Sequence, residues 1–195
     1  MSVGRFGKMA CSAIGVLLLV SGVSVRALAQ DDGHAMTHDH DQKAKLNALV
    51  KIVREATERF KDPAVAEAEG YKLQFGCVSG GDYGAMGLHF VNGDLVGAGV
   101  LDASRPQIVI YEPLPNGRLR LIGADYLLIA DAWNSKHAGP PELMGQLFHL
   151  FESPNRFGLP NFYTLHVWAW KDNPTGTFVN WHANVSCDAF SGQQD

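Results

Sequence analysis

The hydrophobic pattern changes its period at Gly70, and this change constrains the fold more than any other feature of the chain. Before it, apolar side chains recur at intervals of three and four, the spacing that places them on one face of a helix. The pattern predicts an amphipathic helix over residues 43–60. Asp62 and Pro63 end this helix, and Pro63 suits the first turn of a second, short helix over residues 64–69.

After the change, the chain consists of short β-prone runs separated by Gly, Pro and Asn, a texture typical of strands. The runs span residues 71–78, 107–112, 118–129 and 162–171. The turn-forming residues 115–117 (Pro-Asn-Gly) predict a hairpin between the second run and the third. The remaining stretches, residues 79–106 and 131–161, are rich in loop formers, and stretches this long are functional or contain short elements. One or two helices packed on an antiparallel sheet, open or curled into a barrel, make an α+β domain.

The N-terminus has the three-part pattern of a secretory signal peptide. Arg5 and Lys8 precede an apolar run over residues 9–25, and an Ala-Leu-Ala cleavage site follows at residues 27–29. The sequence therefore predicts that residues 1–29 are removed and that the mature protein is exported to the periplasm or to the extracellular medium. The apolar run is shorter than a membrane-spanning helix, so we expect no stable membrane insertion after cleavage.

Cleavage makes the chain more acidic, because it removes Arg5, Lys8 and Arg26 but no acidic residue. The 16 basic residues of the whole chain fall to 13 against 20 acidic ones, a net charge of −7 with histidine neutral. Binding to nucleic acid or to an anionic membrane requires clustered Lys and Arg, so neither is an expected partner.

Two cysteines remain in the mature chain, Cys77 and Cys187. An even pair in an exported protein favours a disulfide bond between them. The alternative is a reactive thiol or a metal-binding thiolate pair. The neighbouring residues do not favour it, since the chain contains no Cys-x-x-Cys motif.

Histidine and aspartate are frequent in residues 30–41, a segment without hydrophobic periodicity. This composition predicts a disordered tail ahead of a single globular domain over residues 42–195. Because imidazoles in a flexible segment can wrap around an ion, His34, His38 and His40 are candidates for the capture of a divalent metal. The alternative is a solvated tail with incidental histidines.

Two carboxylates stand on the apolar faces of predicted strands. Asp125 alternates with Leu121 and Leu127, so it shares their face, where an ionised carboxylate is costly unless it is paired or bound to a metal. Glu112 shares a face with Ile110 in the same way, at the end of its strand. Both are candidate ligands, although an arginine partner or a one-residue shift of register would change the interpretation of Asp125.

Two histidines complete the candidate site. His166 shares a predicted strand face with Trp168 and Trp170, and His89 lies in the segment Met-Gly-Leu-His-Phe-Val-Asn. Two imidazoles with one or two carboxylates match the ligands of a divalent transition metal, namely zinc, copper or iron. A site with three protein ligands keeps a position open for water, and metal-bound water or a redox step would be its chemistry.

The same residues allow other interpretations. The histidines could hold loops by hydrogen bonds, and Trp168 and Trp170 could line a metal-free pocket for a small apolar or sugar ligand. A small hydrolase or lyase could use Glu112 and Asp125 as acid and base, with His166 in support. A metal ion or a small molecule is thus the expected partner, and whether the protein is an enzyme stays open.

Three segments form distinctive motifs: MGLHFVN at residues 86–92, IVIYEP at 108–113, and LHVWAWKDNPTGTF at 165–178, followed closely by the last cysteine. In this order they resemble a group of uncharacterised exported bacterial proteins. The resemblance spans most of the mature chain and implies that His89, Glu112 and His166 belong to the shared pattern. The group has Glu in place of Asp125, which keeps a carboxylate, and Asn where this chain has His182. The group has no established activity, so the resemblance implies no reaction.

Overall fold

The computed structural model describes residues 33–192. The predicted signal peptide, residues 1–29, lies outside the described residues. Within the described range, no helix is both long enough and apolar enough to cross a membrane.

Two helices precede the sheet, as the hydrophobic spacing predicts. Helix α1 covers Gly33–Thr57 and passes into a 3-10 turn over Glu58–Lys61. Helix α2 covers Pro63–Ala68. The carboxylate of Asp62 accepts a hydrogen bond from the backbone N–H of Ala64 at 3.0 Å, which satisfies a donor left free at the start of α2.

Helix α1 begins ten residues before its predicted start at Lys43. The backbone of residues 33–41 is therefore helical, whereas the composition predicts a disordered tail there. Extending an existing helix adds one hydrogen bond for each residue ordered, so propagation is far easier than nucleation. The fully buried Leu49 and Val53 anchor α1 to the core, and the preceding residues extend the helix from that anchored part.

The chain then forms a large antiparallel sheet. Its strands are β1 Tyr71–Ser79, β2 Ala85–Asn92, β3 Ile108–Pro113, β4 Leu119–Ile129, β7 His149–Phe151 and β8 Phe162–Val167. They are ordered β1-β2-β3-β4-β8-β7, and every neighbouring pair is antiparallel. The α+β class is confirmed, and the sheet is open, not closed into a barrel.

Shorter elements fill the long connections. Helix α3, Gly93–Ala98, follows β2, and helix α4, Ala130–Asn134, follows β4. Strands β5, Glu142–Leu143, and β6, Gln146–Leu147, form a small separate hairpin. The two loop-rich stretches thus contain short elements of their own.

All four predicted strands are present, and the predicted turn at residues 115–117 joins β3 to β4. The last strand is shorter than predicted, because β8 ends at Val167. Strand β2 is the main element that the sequence pattern does not reveal. Seven of its eight residues are buried and only Val91 is β-branched, so it shows neither alternation nor a β-branched run.

Both faces of the sheet are covered. On one face, Leu49 and Val53 of α1 pack against Tyr126 and Leu128 of β4. On the opposite face, Ile108, Leu127 and Phe162 pack with Phe151, Phe157 and Leu159 of the β7–β8 region. These residues belong to a second core cluster that reaches both faces of the sheet and also includes Phe60, Leu88, Phe90, Ile110 and Trp168. Burial of both faces explains why polar residues on the central strands are informative: each lies in an apolar interior.

The predicted disulfide bond between Cys77 and Cys187 is present. It joins β1 to the C-terminal segment across 110 residues, with the two Cα atoms 5.7 Å apart. In the chain-entropy description, a bridge that closes a loop of this length destabilises the unfolded state by about 4–5 kcal/mol.

Candidate metal centre

The central strands bring His89, Asp125 and His166 together on one face of the sheet. Asp125 on β4 is directly opposite His166 on β8, and directly opposed residues point to the same side. His89 on β2 is opposite Ile110 on β3, two residues from Ile108, which is opposite Asp125. All three side chains therefore lie on the face away from α1, and one ligand atom of each lies within 4.8 Å of the others.

The backbone beside His89 is irregular in two places. Gly87 has φ +85, and a Cβ there would lie 2.6 Å from the carbonyl oxygen of Tyr111, so glycine is required for this close approach of β2 to β3. Next to β2, β1 contains a bulge at Phe75 and Gly76, opposite the step from His89 to Leu88. The bulge turns the Phe75 side chain towards the space beside His89.

Within the described residues, the hydrogen bonds leave one ring nitrogen of this group, Nδ1 of His166, without a partner. Nδ1 of His89 lies 3.3 Å from the carbonyl oxygen of Gly87, and because a carbonyl only accepts, Nδ1 carries the proton. Nε2 of His89 then accepts a hydrogen bond from Nε2 of His166 at 3.4 Å. Nδ1 of His166 is buried and has no hydrogen-bond partner within residues 33–192; Oδ1 of Asp125 is 3.7 Å away.

The spacing of these atoms suits a tetrahedral ion. Two nitrogen ligands at about 2.1 Å from a zinc ion lie about 3.4 Å apart at the tetrahedral angle, and the two Nε2 atoms are 3.4 Å apart. Oδ1 of Asp125 accepts hydrogen bonds from Oγ1 of Thr164 at 2.6 Å and from the backbone N–H of Leu165 at 3.1 Å. Such bonds orient a carboxylate, as they do around metal ligands in other proteins.

Burial determines the charge state of the group. It lowers the pKa of His89 to about 4, and the neighbouring His166 lowers it further in the same direction. Burial also lowers the pKa of His166 to about 3 and raises the pKa of Asp125 to about 6. Both imidazoles are therefore neutral at pH 7, the form that binds metals, whereas the ionised carboxylate lacks a cation.

A cavity of about 20 Å³ adjoins the group. Its volume is sufficient for a water molecule or a small ligand atom next to a bound ion. The polar part of its wall consists of His89, Asp125, Thr164 and His166. The rest is hydrophobic: Phe75, Met86, Ile108, Leu127, Phe151, Phe157, Leu159 and Phe162.

The structure does not bring Glu112 to this group. Glu112 accepts hydrogen bonds from Nζ of Lys171 at 2.6 Å and from the guanidinium of Arg120. It is four residues from Ile108, the partner of Asp125, which corresponds to about 13 Å along the strand. Burial raises the pKa of Glu112, but the hydrogen bonds from Lys171 and Arg120 outweigh it and hold that pKa below its ordinary value.

The two tryptophans predicted to line a pocket lie elsewhere in the core. Trp168 packs against the His166 ring, with centroids 5.6 Å apart, and donates from its indole nitrogen to the carbonyl of Val179 at 2.7 Å. Trp170 donates to Oγ1 of Thr57 at 3.0 Å. Strand alternation ends with β8, so neither indole faces the cavity. Phenylalanines from the β1 bulge and from the β7–β8 region line it instead, and no pattern in the sequence singles them out.

The remaining histidines are separate from this group. His182 is fully buried, its Nδ1 accepts from the backbone N–H of Asn184, and its ring stands edge-on to Trp168. His149 is exposed and paired with Asn180; it is not one of the three candidate ligands, but, in addition to burial, its charge acts on His166 and lowers the pKa of that residue. His40 is exposed on α1, while the side chains of His34 and His38 lie outside the described residues. Metal capture by the N-terminal histidines therefore stays a prediction.

The group thus consists of two neutral imidazoles and one carboxylate, fully buried and next to a small apolar cavity. Comparison with protein-family models, with curated proteins and with solved structures gives no match. The chemistry of the site must therefore be inferred from its own geometry.

Proposed function

We propose that this protein is an exported metal-binding protein whose centre holds a divalent transition metal through His89, His166 and Asp125. The convergence of the three ligand atoms within 4.8 Å, in a group that is almost fully buried, carries the proposal. The proposal also includes membership of the group of exported bacterial proteins that share the three motifs. The signal-peptide pattern and the disulfide bond support export, since disulfides persist in oxidising compartments.

The metal-free arrangement lacks a counter-charge, which is the physical reason to place a cation there. A buried carboxylate is costly unless a cation or several hydrogen bonds compensate it. Asp125 has two hydrogen bonds, but both histidines beside it are neutral at pH 7. A divalent ion among the three side chains would supply the missing charge and would take the place of the hydrogen bond between the two imidazoles.

The donor set restricts the metal. Two imidazoles disfavour Ca²⁺ and Mg²⁺, which prefer oxygen ligands. Both cysteines of the described chain form the disulfide, so the thiolates that select Cu(I) are not available. Zinc, iron and copper in the divalent state fit two nitrogens and one oxygen, and a three-ligand site keeps a coordination position open.

The geometry disfavours an acid–base pair of Glu112 and Asp125. The two carboxylates of glycoside hydrolases lie about 5–10 Å apart, whereas these two are separated by about 13 Å along the strand. Glu112 is also held by two basic side chains, Lys171 and Arg120. A sugar ligand is disfavoured as well, because the cavity is small and most of its wall cannot form hydrogen bonds.

The metal content of the purified protein tests this proposal. The chain is expressed with its own signal, isolated from the periplasm without a histidine tag, and analysed by mass spectrometry. A variant with His34, His38 and His40 all changed to Ala removes capture by the N-terminal segment while retaining its helix-forming residues. We expect about one zinc, iron or copper ion per chain in this variant.

Single changes in the background of that variant locate the ion. His89→Ala and His166→Ala should abolish the retained metal, whereas the matched change His137→Ala, at an exposed histidine outside the group, should leave it unchanged. A triple variant without metal, both as isolated and after incubation with Zn²⁺, would contradict the proposal.

A further inference from the structure

The three candidate ligands are almost completely shielded from solvent. His89, Asp125 and His166 are at most 4% exposed, and the cavity beside them has room for about one water molecule. A divalent ion in water carries a shell of several water molecules, so the hydrated ion is larger than this space. Part of the cavity wall must therefore move before an ion can reach the three side chains.

One part of this wall is formed by a loop and the rest by strands. Ten of the twelve lining residues belong to strands of the large sheet, whose backbones are held by ladder hydrogen bonds. The other two, Phe157 and Leu159, are half-buried and belong to the connection between β7 and β8. We refer to residues 152–160 of this connection as the strap. Opening the sheet would break backbone hydrogen bonds between strands, whereas moving the strap would expose two half-buried side chains, so the strap is the part of the wall that opens most easily.

The strap has its own internal hydrogen bonds, which centre on Asn155. Oδ1 of Asn155 accepts from the backbone N–H groups of Phe157 at 3.2 Å and of Leu159 at 3.3 Å. Nδ2 of Asn155 donates to the carbonyl oxygen of Leu159 at 2.9 Å, and the N–H of Gly158 donates to the carbonyl oxygen of Asn155 at 3.1 Å. Because these bonds do not involve the sheet, the strap can move as a unit without losing them.

The attachment of the strap to the rest of the described chain is weaker than its internal structure. Apart from a bond to Asn161 at its base, one hydrogen bond within residues 33–192 links it to another element: Nη1 of Arg156 donates to the carbonyl oxygen of Ser79 at 2.9 Å. Arg156 is exposed, so this bond competes with water. The other attachment is apolar, and the Phe157 ring contacts Phe75 edge to face with centroids 5.3 Å apart.

We propose that the strap is the gate of the metal centre, and that an ion enters and leaves when the strap moves away from the sheet. This inference rests on the proposed metal centre. In the closed structure, Phe157 and Leu159 line the cavity and also reach the surface, so their displacement opens a path to the three ligands. Because each exchange requires this opening, the ion is a resident cofactor that exchanges slowly, and not cargo for delivery to a partner protein.

Exchange rates distinguish a gate from a loop with a structural role. The variant with His34, His38 and His40 changed to Ala is used, and two rates are measured: release of Zn²⁺ to an excess of a chromophoric chelator, and uptake of Zn²⁺ by the metal-free protein. A gate changes both rates by the same factor and leaves the affinity unchanged, since the ligands are not altered. We expect Phe157→Ala to raise both rates at least about tenfold and Arg156→Ala to raise them about threefold, with the affinity within about threefold of the parent.

Two changes of the same kind outside the strap are the controls. Phe178→Ala removes a half-buried ring that packs in the other core cluster, and Arg118→Ala removes an exposed guanidinium just before β4. Neither should change either rate by more than about twofold. Amide hydrogen exchange of the metal-free protein is a second measurement, in which the N–H groups of Phe157 and Leu159 should exchange at least about tenfold faster than the hydrogen-bonded amides of β4.

The outcomes separate the two proposals. A protein that takes up no Zn²⁺ overturns the metal centre itself, and this inference with it. Zn²⁺ that exchanges at the same rates in the strap variants and the controls, or strap amides as well protected as those of β4, overturns only the gate. A release rate that rises without the uptake rate, and hence a weaker affinity, gives the strap a structural role and also overturns the gate. If Phe157→Ala does not fold, Arg156→Ala and the amide exchange decide.

Discussion

Two carboxylates of this sheet occupy similar positions in the sequence pattern and very different surroundings in the structure. Glu112 ends β3, where Lys171 and Arg120 both donate hydrogen bonds to it. Asp125 lies in the middle of β4, where its nearest ionisable neighbours are two buried histidines. The first carboxylate is neutralised by the protein itself, and its pKa is lowered; the second has no protein cation, and its pKa is raised to about 6.

This contrast shows how a structural carboxylate differs from a candidate ligand. Alternation along each strand places both acids on an apolar face, so the two are indistinguishable by pattern. The difference lies in which residues the neighbouring strands place opposite them: Arg120 is opposite Glu112, and His166 is opposite Asp125. The four predictions below test this difference, beginning with the largest expected effect.

Removal of the His166 imidazole should weaken metal binding far more than neutralisation of Glu112, the carboxylate that Lys171 and Arg120 hold. We expect His166→Ala to lower the affinity for Zn²⁺ by about a thousandfold, or ~4 kcal/mol, because a three-ligand site loses a ligand. Glu112→Gln should change the affinity less than about threefold, since Glu112 is outside the group. Competition with a chromophoric chelator measures both affinities. Equal losses of Zn²⁺ affinity in the two variants would contradict the assignment of His166, and not Glu112, to the metal centre.

Asp125→Asn should stabilise the metal-free protein. Asn keeps the shape and an acceptor oxygen for Thr164 and Leu165, but it avoids ionising a group whose pKa is raised by burial from 3.8 to about 6. At pH 7 this difference corresponds to about 2–3 kcal/mol in the free energy of unfolding. Urea unfolding with a chelator present measures it, and the same variant should bind Zn²⁺ less tightly. If Asp125→Asn instead destabilises the metal-free protein, the hydrogen bonds to Asp125 already compensate its buried charge.

Glu112→Gln should destabilise the metal-free protein, in contrast to Asp125→Asn. It removes the charge that Lys171 and Arg120 neutralise, and because Arg120 is half exposed, we expect a loss of only about 1–2 kcal/mol in the free energy of unfolding. Urea unfolding in chelator measures this loss as well. The matched control is Glu67→Gln, at an exposed acid on α2, which should change stability by less than about 0.5 kcal/mol.

The pH dependence of the metal-free protein should reveal the buried group. The raised pKa of Asp125 contributes stability that is complete below pH 3.8 and is lost as the pH rises through about 6. The lowered pKa values of His89 and His166 contribute stability that is present above pH 6.5 and is lost as the pH falls through about 4 and 3. Between these limits, the two histidines and Asp125 act in opposite directions.

The comparison with Asp125→Asn isolates this effect. Between about pH 4 and 6, the unfolded chain binds one proton on each histidine, whereas the folded chain binds one on Asp125. Stability should therefore rise with pH, and the rise should be steeper in Asp125→Asn by about 1.4 kcal/mol per pH unit, because the folded variant binds no such proton. Unfolding midpoints in urea across this range provide the measurement; parallel curves would contradict the assigned pKa of Asp125.

Much of the fold follows from local patterns. The spacing of Leu49 and Val53 predicts α1, the turn at residues 115–117 predicts the β3–β4 hairpin, and the cysteine count predicts the Cys77–Cys187 bond; all three are confirmed. Strand β2 is not predicted, because a strand buried on both faces carries no alternation. His89 is proposed from the sequence even so, although nothing local shows that its strand lies beside β3.

The sequence by itself determined the α+β class and the placement of Asp125 and His166 on apolar strand faces, because these depend on periodicities of two and of three to four residues. It also determined the cysteine pair, because only two cysteines follow the predicted signal peptide. Only the tertiary structure decided that His89 meets them, that Glu112 does not, and that phenylalanines rather than tryptophans line the cavity. Strand order, the bulge at Phe75 and the end of β8 are set by long-range pairing. A one-dimensional pattern does not contain that information, since pairing depends on which distant surfaces pack best.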